Sequence, residues 1–405
     1  MGRFHIVNIG CKVNRVEADT AGAALLADGW EQSCLEEADL VLVNTCTVTA
    51  EADKKCRKAV RRVLARNERA LVVVTGCAAA LAPSVFEQMD ARVQVLRRSE
   101  IEERIIQSHA PEELIRFGEG FNTRVGIKVQ DGCNQSCSYC IVRTARSHQT
   151  SLEHRKAVDQ VRACFAAGVN EVVLAGINIG AYDDGEMRLP GLVEELLACA
   201  EGFASDGAYG PRIRLSSIEP LDVDSALIDL LASSTGRFCR HVHIPLQAGS
   251  TKVLSEMNRP YTAEWFASMV EDLRKRVPSV SISTDIIVGF PGETDAEFED
   301  TLALARSCGF SKIHVFPYSK RAGTPAADRS DQIPPEIKAE RAQVLRNLAE
   351  ELRKEDFDRR IGNREMVLIE PGHALTESYH RVIAPPDKRI GGLVSMLLTR
   401  GCMLQ

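Results

Sequence analysis

The chain has 405 residues, 44% of them hydrophobic, thirteen cysteines and a formal net charge of -6. That length accommodates two or three domains with real cores, no apolar run approaches the roughly 20 residues that span a bilayer, and the opening MGRFHIVNIG reads as a strand rather than a signal peptide. The expected location is therefore the cytoplasm, where thiols stay reduced, so the cysteines argue for metal binding and against a disulfide framework, and the acidic balance leaves nucleic-acid binding to local patches.

The first ~100 residues alternate apolar runs with helical patterns: FHIVNIG, then Val16 to Asp28; DLVLVN, then Thr49 to Arg66; LVVVTG, then Ser84 to Met89. Strands that are apolar throughout and separated by helices predict a parallel sheet covered on both faces. Ligands of such sheets bind at the carboxyl ends of the strands. Cys11, Cys46 and Cys77 each follow such a strand end, in NIGCKVN, VNTCTVT and VVTGCAA, which predicts that they converge. Within DKKCRKAVRRVLARNER, Cys56, Ala59, Val60, Val63 and Leu64 share the core face of a helix and leave Lys54, Lys55, Arg57, Lys58, Arg61, Arg62 and Arg66 mostly outward. These charges form either a solvated face or a phosphate-binding patch.

HAPEELIRFGEGFN reads as a connection, after which a second alternating series begins. Its strands are RVGIKVQ, EVVLAG, RIRLSS, HVHIPL, SISTDIIVGF and KIHVFPY, with helices around His154 to Gly168, Leu192 to Glu201, Ser225 to Ser233, Ala263 to Val277 and Asp295 to Gly309. Six strand-helix units predict an open, partial barrel of parallel strands and outer helices, whose active site lies on loops at the strand C-termini. A long polar helix from about Pro335 to Ile361 leads to a tail with strand-like runs EMVLIE, YHRVIAP and LVSMLL. Cys34, Cys164, Cys199, Cys239 and Cys308 lie in helical or apolar settings, where cysteine is usually a small hydrophobe.

The loop after the first barrel strand, DGCNQSCSYC, places Cys133, Cys137 and Cys140 within eight positions and offers no fourth cysteine nearby. A structural zinc site takes four protein ligands, so zinc would need a further one such as His148. A 4Fe–4S cluster held by three thiolates with its fourth iron free fits the count. Gly176 and Gly180 in LAGINIG, and Gly289, Gly292 and Glu293 in DIIVGFPGET, stand beyond other strand ends, where backbone can approach a ligand closely.

The C-x3-C-x2-C triplet on the first loop of a six-unit barrel resembles the radical S-adenosylmethionine (SAM) enzymes. That resemblance implies that the free iron is chelated by SAM, and that an electron from the cluster releases a 5'-deoxyadenosyl radical. Tyr139 takes the superfamily's aromatic position near the SAM adenine, and Gly176, Ser217, Glu219, Gln247, Gly289 and Glu293 resemble further cofactor-facing strand ends. With GCKVN, NTCTVT and TGC ahead of this core, the chain resembles the methylthiotransferases over about residues 3 to 361. RIRLSSIEP, HIPLQAGS, DIIVGFPGET and HVFPYSKRAGTPAA lean toward the branch acting on threonylcarbamoyladenosine in tRNA.

The resemblance implies an α/β fold: an N-terminal parallel-sheet α/β domain (1–110), a radical SAM core (119–349) that is a partial (β/α)6 barrel, and a linker helix with a short β segment like a truncated TRAM barrel (350–405). It assigns Cys11, Cys46 and Cys77 to an auxiliary 4Fe–4S cluster that carries the sulfur to be inserted. SAM serves twice, as methyl donor and as radical source. The implied reaction places a methylthio group on carbon 2 of the adenine of N6-threonylcarbamoyladenosine at position 37, beside the anticodon. Replacing a hydrogen on that unactivated carbon is beyond acid–base side chains, so a cofactor radical is required. Isopentenyladenosine in tRNA and a ribosomal protein aspartate are the close alternatives; a non-catalytic iron–sulfur or zinc protein is the alternative of a different class. Expected partners are the tRNA anticodon stem-loop, met by Lys55, Lys58, Arg61, Arg62 and Arg146, and an electron donor such as a flavodoxin or ferredoxin, with no membrane. The chain departs from the family pattern in RTARSHQTS, where Ser147 and Thr150 replace a glycine and an arginine, and at Ala78, where an aromatic is common. In the tail, Arg381, Lys388, Arg389 and Arg400 are balanced by Glu365, Glu370, Glu377 and Asp387, which predicts weak phosphate attraction.

Overall fold

The computed structural model describes residues 2–97, 100–101, 123–204, 210–234 and 236–404. The connection read at 109–122 lies outside the described residues. The chain divides into two compact units. The first takes the described residues up to 101 together with Asp131–Gln135 and Cys140–Gln149; the second takes the rest.

In the first unit, β1 (Arg3–Asn8), β2 (Glu31–Gln32), β3 (Leu40–Thr45), β4 (Leu71–Gly76) and β5 (Val93–Val95) form one sheet in the order β2-β1-β3-β4-β5. Every pairing is parallel. All six residues of β3 are buried, because helices cover both faces. Val41 and Val43 meet Cys56, Val60 and Val63 of α2 (Ala50–Arg66) on one side. On the other side Leu40 and Leu42 meet Phe4 and Leu25. A buried valine such as Val60 contributes about 1.5–3 kcal/mol over an exposed one. Thr49 starts α2 by accepting the Ala52 amide at 3.1 Å, which satisfies one of the helix's free N–H groups. Lys54, Lys55, Lys58, Arg61, Arg62 and Arg66 are exposed as predicted, and Arg66 pairs with Glu36.

In the second unit, β6 (Val125–Lys128) precedes the two-residue strands β7 (Gln130–Asp131) and β8 (Thr150–Ser151). β9 (Glu171–Ala175), β10 (Arg212–Leu215), β11 (His241–His243), β12 (Ser281–Val288) and β13 (Lys312–Pro317) follow. They form the parallel sheets β10-β9-β6 and β11-β12-β13, joined by the parallel bridges Ile213 to Phe238 and Ser217 to His243. The six large strands thus run in chain order, the arrangement of an open partial barrel. The helices fall within a few residues of expectation, from His154–Ala166 to Asp295–Cys308. HVHIPL yields only three strand residues, because Pro245 lacks the N–H a ladder needs.

After helix Pro335–Asp358, the tail forms a four-stranded antiparallel sheet from β14 (Arg364–Glu370), β15 (His373–Thr376), β16 (Arg381–Val382) and β17 (Leu393–Leu397), in the order β16-β15-β14-β17. β15 was not among the predicted runs. Fully buried Arg212 and Arg214 both ion-pair with Glu171. Their remaining donors reach the carbonyls of Met366 (2.8 Å), Thr376 (3.1 Å) and Glu377 (3.0 Å). Since Glu171 and Arg212 open their strands, the tail is docked on the N-terminal face of the barrel, opposite the strand ends where ligands of such barrels bind.

Candidate functional site

The β2-β1-β3-β4-β5 order reverses direction between β1 and β3, and at such a switch point an open parallel sheet leaves a crevice beyond its strand ends. Cys11, the residue before helix α1 (Lys12–Ala27), follows β1; Cys46 follows β3; Cys77 opens the short helix α3 (Cys77–Leu81) after β4. The Cys77 thiol senses the other two. Burial pushes Cys77 up to about 11, and Cys11 and Cys46 add to the rise while Arg146 opposes it. Cys46 is raised as well, chiefly by burial and further by Cys11. Two glycines make the approach possible: a Cβ on Gly10 would stand 2.8 Å from Cys46 Cβ, and one on Gly76, at φ +91°, would stand 2.3 Å from the Thr45 carbonyl oxygen. Soft thiols on three adjacent strand ends suit an iron–sulfur cluster; binding it requires the thiol protons to leave.

The structure brings Arg146 to this trio. Its Nε donates to Cys77 Sγ at 3.0 Å, Nη1 to Glu17 at 2.8 Å and to Asp131 at 3.0 Å, and Nη2 to Glu17 at 3.1 Å. Burial works against its charge, but the Glu17 hydrogen bonds and the charges of Cys77, Glu17 and Asp131 raise its pKa well above the ordinary arginine range. Buried Asn14 joins the same group: its Oδ1 accepts from Cys11 Sγ at 3.2 Å, and its Nδ2 donates to the Thr45 carbonyl at 2.8 Å. Sequence reasoning missed Asn14 and Glu17. Their only signal was a polar pair in an otherwise amphipathic helix directly after Cys11.

Cys133 and Cys140 belong to the first unit, Cys137 and Tyr139 to the second. In the first unit, Cys133 Sγ accepts from the Gln135 amide at 3.4 Å. The Gly132 position, at φ +69°, passes so near His148 that a Cβ would stand 2.1 Å from its carbonyl oxygen. His148 itself is exposed. In the second unit, Ser136 and Ser138 are tied to the end of helix Thr251–Glu256: Asn258 Nδ2 donates to the Ser136 carbonyl at 2.9 Å, and Ser138 N to the Met257 carbonyl at 3.0 Å. Arg259 Nη1 donates to Cys137 Sγ at 3.2 Å, its Nε to Tyr261 at 3.1 Å, and it pairs with Glu219. Burial lowers Arg259, but Tyr139, Glu219, Tyr261 and Cys137 more than reverse that. Asn258 and Arg259 were missed. The signal was an asparagine at a helix end, here at φ 57°, the conformation that closes many helices.

Among the other strand-end residues, Gly176 packs against Gln130, where a Cβ would approach its side chain to 3.0 Å. Ser217 bridges to His243, and Gln247, at φ 69°, bridges to Ile286. Buried Glu293 accepts the Gly289 amide at 2.6 Å and Arg341 Nη1 at 2.7 Å, while its Oε1 has no hydrogen-bond partner. An unpartnered buried carboxylate oxygen beside a strand-end glycine fits a polar cofactor group.

Two family models match the chain: the Radical SAM superfamily over residues 127–305, and Uncharacterized protein family UPF0004 over residues 3–96. The threonylcarbamoyladenosine tRNA methylthiotransferase MtaB of Chlamydia pneumoniae is 37% identical, over 91% of this chain and 87% of that protein. The chain belongs to the radical SAM methylthiotransferase family. MtaB of Bacillus subtilis is also 37% identical (87% and 81% of the two chains), and the tRNA-2-methylthio-N(6)-dimethylallyladenosine synthase of Carboxydothermus hydrogenoformans is 33% identical (91% and 88%). The solved radical SAM methyltransferase TsrM from Kitasatospora setae shares the fold at TM-score 0.58 and 16% identity, covering 81% of this chain and 77% of TsrM. The methylthiotransferase is thus an α/β radical SAM enzyme whose cofactors are SAM and 4Fe–4S clusters. Among the described residues no helix is long and apolar enough to cross a membrane.

Proposed function

We propose that this methylthiotransferase adds a methylthio group to carbon 2 of N6-threonylcarbamoyladenosine at position 37 of tRNA. The observation that carries the reading is the trio Cys11, Cys46 and Cys77 at the switch point of the first unit, a second thiol set in addition to the Cys133, Cys137 and Cys140 triplet. Similarity to MtaB proteins along nine-tenths of the chain supports the choice of nucleoside. Domains 1–110, 119–349 and 350–405 would carry the auxiliary cluster, the radical core and the linker with the docked tail.

When bound, SAM and the two clusters supply hydrogen abstraction, the methyl group and the sulfur. The chain's own residues do the rest. Cys11, Cys46 and Cys77 hold one cluster, with Arg146 donating to Cys77 and lowering the cost of its thiolate charge and Asn14 set beside Cys11. Cys133, Cys137 and Cys140 hold the other, with Arg259 beside Cys137. Tyr139, Gly176, Ser217, Glu219, Gln247, Gly289 and Glu293 receive SAM. Lys55, Lys58, Arg61 and Arg62 offer the phosphate backbone four exposed cations on one helix. The target purine must leave its stack to be reached, which costs less in an anticodon loop than in a duplex. A flavodoxin or ferredoxin supplies the electron.

The test is anaerobic reconstitution followed by incubation with SAM, a reductant and an anticodon stem-loop bearing threonylcarbamoyladenosine. The reading predicts about eight irons per chain with matching sulfide, about half that in Cys46→Ala, and a methylthio product seen by mass spectrometry. Zinc without sulfide, or conversion only of a dimethylallyladenosine stem-loop, overturns it.

A further inference from the structure

The barrel carries a constellation that the thiol sites do not use. His243 of β11, Asp285 of β12 and His314 of β13 offer ligand atoms that all lie within 4.8 Å of one another. The three strands are adjacent and parallel, and Asp285 stands directly across from His314 in the register. His243 sits across from Ser283, two residues before Asp285. Strand side chains repeat every second position, so Ser283 and Asp285 share one face with His243 and His314.

We propose that His243, Asp285 and His314 bind one divalent transition-metal ion inside the barrel. Two imidazoles and a carboxylate on one face form the set that takes zinc or ferrous iron while leaving coordination positions open. Tetrahedral ligand atoms about 2.1 Å from an ion lie about 3.4 Å apart, so the trio, within 4.8 Å of one another, draws together by up to about 1.4 Å to close on an ion.

The surrounding hydrogen bonds allow two tautomeric arrangements, and the one in which His243 donates to Ser283 accommodates an ion. Ser283 Oγ lies 2.9 Å from both His241 Nε2 and His243 Nδ1. A hydroxyl has a single proton, so at least one ring donates to it. When His243 donates from Nδ1, its Nε2 lone pair faces Asp285 Oδ1 at 3.2 Å, and a positive charge must separate the two. A proton satisfies that one contact. A metal ion satisfies His243, Asp285 and His314 together, and Ser283 then plays the orienting role that a hydrogen-bond acceptor plays behind a metal-bound histidine. Asp285 retains 28% of its side-chain exposure and His243 11%, so an ion can enter and the open positions face accessible space.

The experiment uses the cluster-replete enzyme, so that cluster thiols cannot capture the probe. Zinc chloride is added anaerobically, excess is removed by gel filtration, and iron and zinc are measured together by mass spectrometry. The proposal predicts one zinc per chain with no loss of iron. Asp285→Asn and His314→Gln should abolish stoichiometric zinc while keeping the iron count and far-ultraviolet circular dichroism. Ser283→Ala should weaken zinc binding about 10- to 100-fold, the usual cost of losing an orienting partner. No zinc in the parent enzyme, zinc gained only as iron is lost, or full zinc in both ligand variants overturns the proposal. The two ligand variants are independent, so failure of one to fold leaves the other to decide.

Discussion

Arg146→Met isolates the electrostatics of the thiol trio. The guanidinium is 7% exposed and Glu17, its bidentate partner, 11%, so removing the cation strands a carboxylate in a largely dry pocket beside Cys77. Breaking a buried pair from one side costs about 3–5 kcal/mol, and at 1.4 kcal/mol per tenfold this is about 100- to 4000-fold in a local equilibrium. The loss should be local, because Glu17 lies on helix Lys12–Ala27. Native-state hydrogen exchange reads such openings segment by segment. Amides of that helix should lose about two to three and a half orders of magnitude of protection, while the barrel strands of the second unit keep theirs. The double variant Arg146→Met with Glu17→Gln removes the stranded charge and should recover most of the protection. Protection within about tenfold of the parent in the single variant, or no recovery in the double, would refute the argument.

Gly76→Ala should halve the iron content, because the new methyl would stand 2.3 Å from the Thr45 carbonyl oxygen at φ +91° and displace Cys77. Gly185→Ala is the control: φ is +92° but nothing lies within 4 Å, so only the left-handed cost of about 1–2 kcal/mol applies and iron should be unchanged. Replacing Lys55, Lys58, Arg61 and Arg62 by alanine should weaken tRNA binding and lower the logarithmic salt slope by up to about 3 without loss of iron; equal affinity in low salt would count against the helix as a tRNA contact. Acid should release the docked tail. Burial alone would raise Glu171, but Arg214 and Arg212 hold it below the usual carboxylate range; Asp356 is likewise lowered against burial, by His380 and Arg360. Carboxyls depressed by folding contribute stability above their unfolded value near ~4 and lose it as the pH falls through the folded one. Exchange protection in Arg364–Glu370 should therefore hold at pH ~6 and drop below pH ~4, and protection independent of pH would contradict this assignment.

The parallel sheet of the first unit was legible because β1, β3 and β4 are apolar runs, and the cysteine trio because each thiol follows one of them. The barrel strands were legible for the same reason. What escaped the reading depends on partners far away in sequence. Arg212 and Arg214 alternate with Ile213 and Leu215, a pattern that reads as a half-exposed strand, yet all four are buried. Glu171 and the tail carbonyls that neutralise and cap these arginines lie 41 to 163 residues away. Arg146 was read as a substrate contact because a sequence shows its charge and not Glu17, 129 residues earlier. Arg259 lies 122 residues from Cys137, and no spacing rule joins them. The strands of the tail were largely legible as apolar runs, but its docking was not, because backbone carbonyls carry no mark in the sequence.

The central claim is tested most directly by mass spectrometry of nucleosides from tRNA of cells with and without the gene. The account predicts that 2-methylthio-N6-threonylcarbamoyladenosine disappears without it, that the unthiolated nucleoside accumulates, and that the parent gene restores the product while a Cys46→Ala copy does not. An unchanged nucleoside profile, or loss of a dimethylallyladenosine derivative instead, would contradict it.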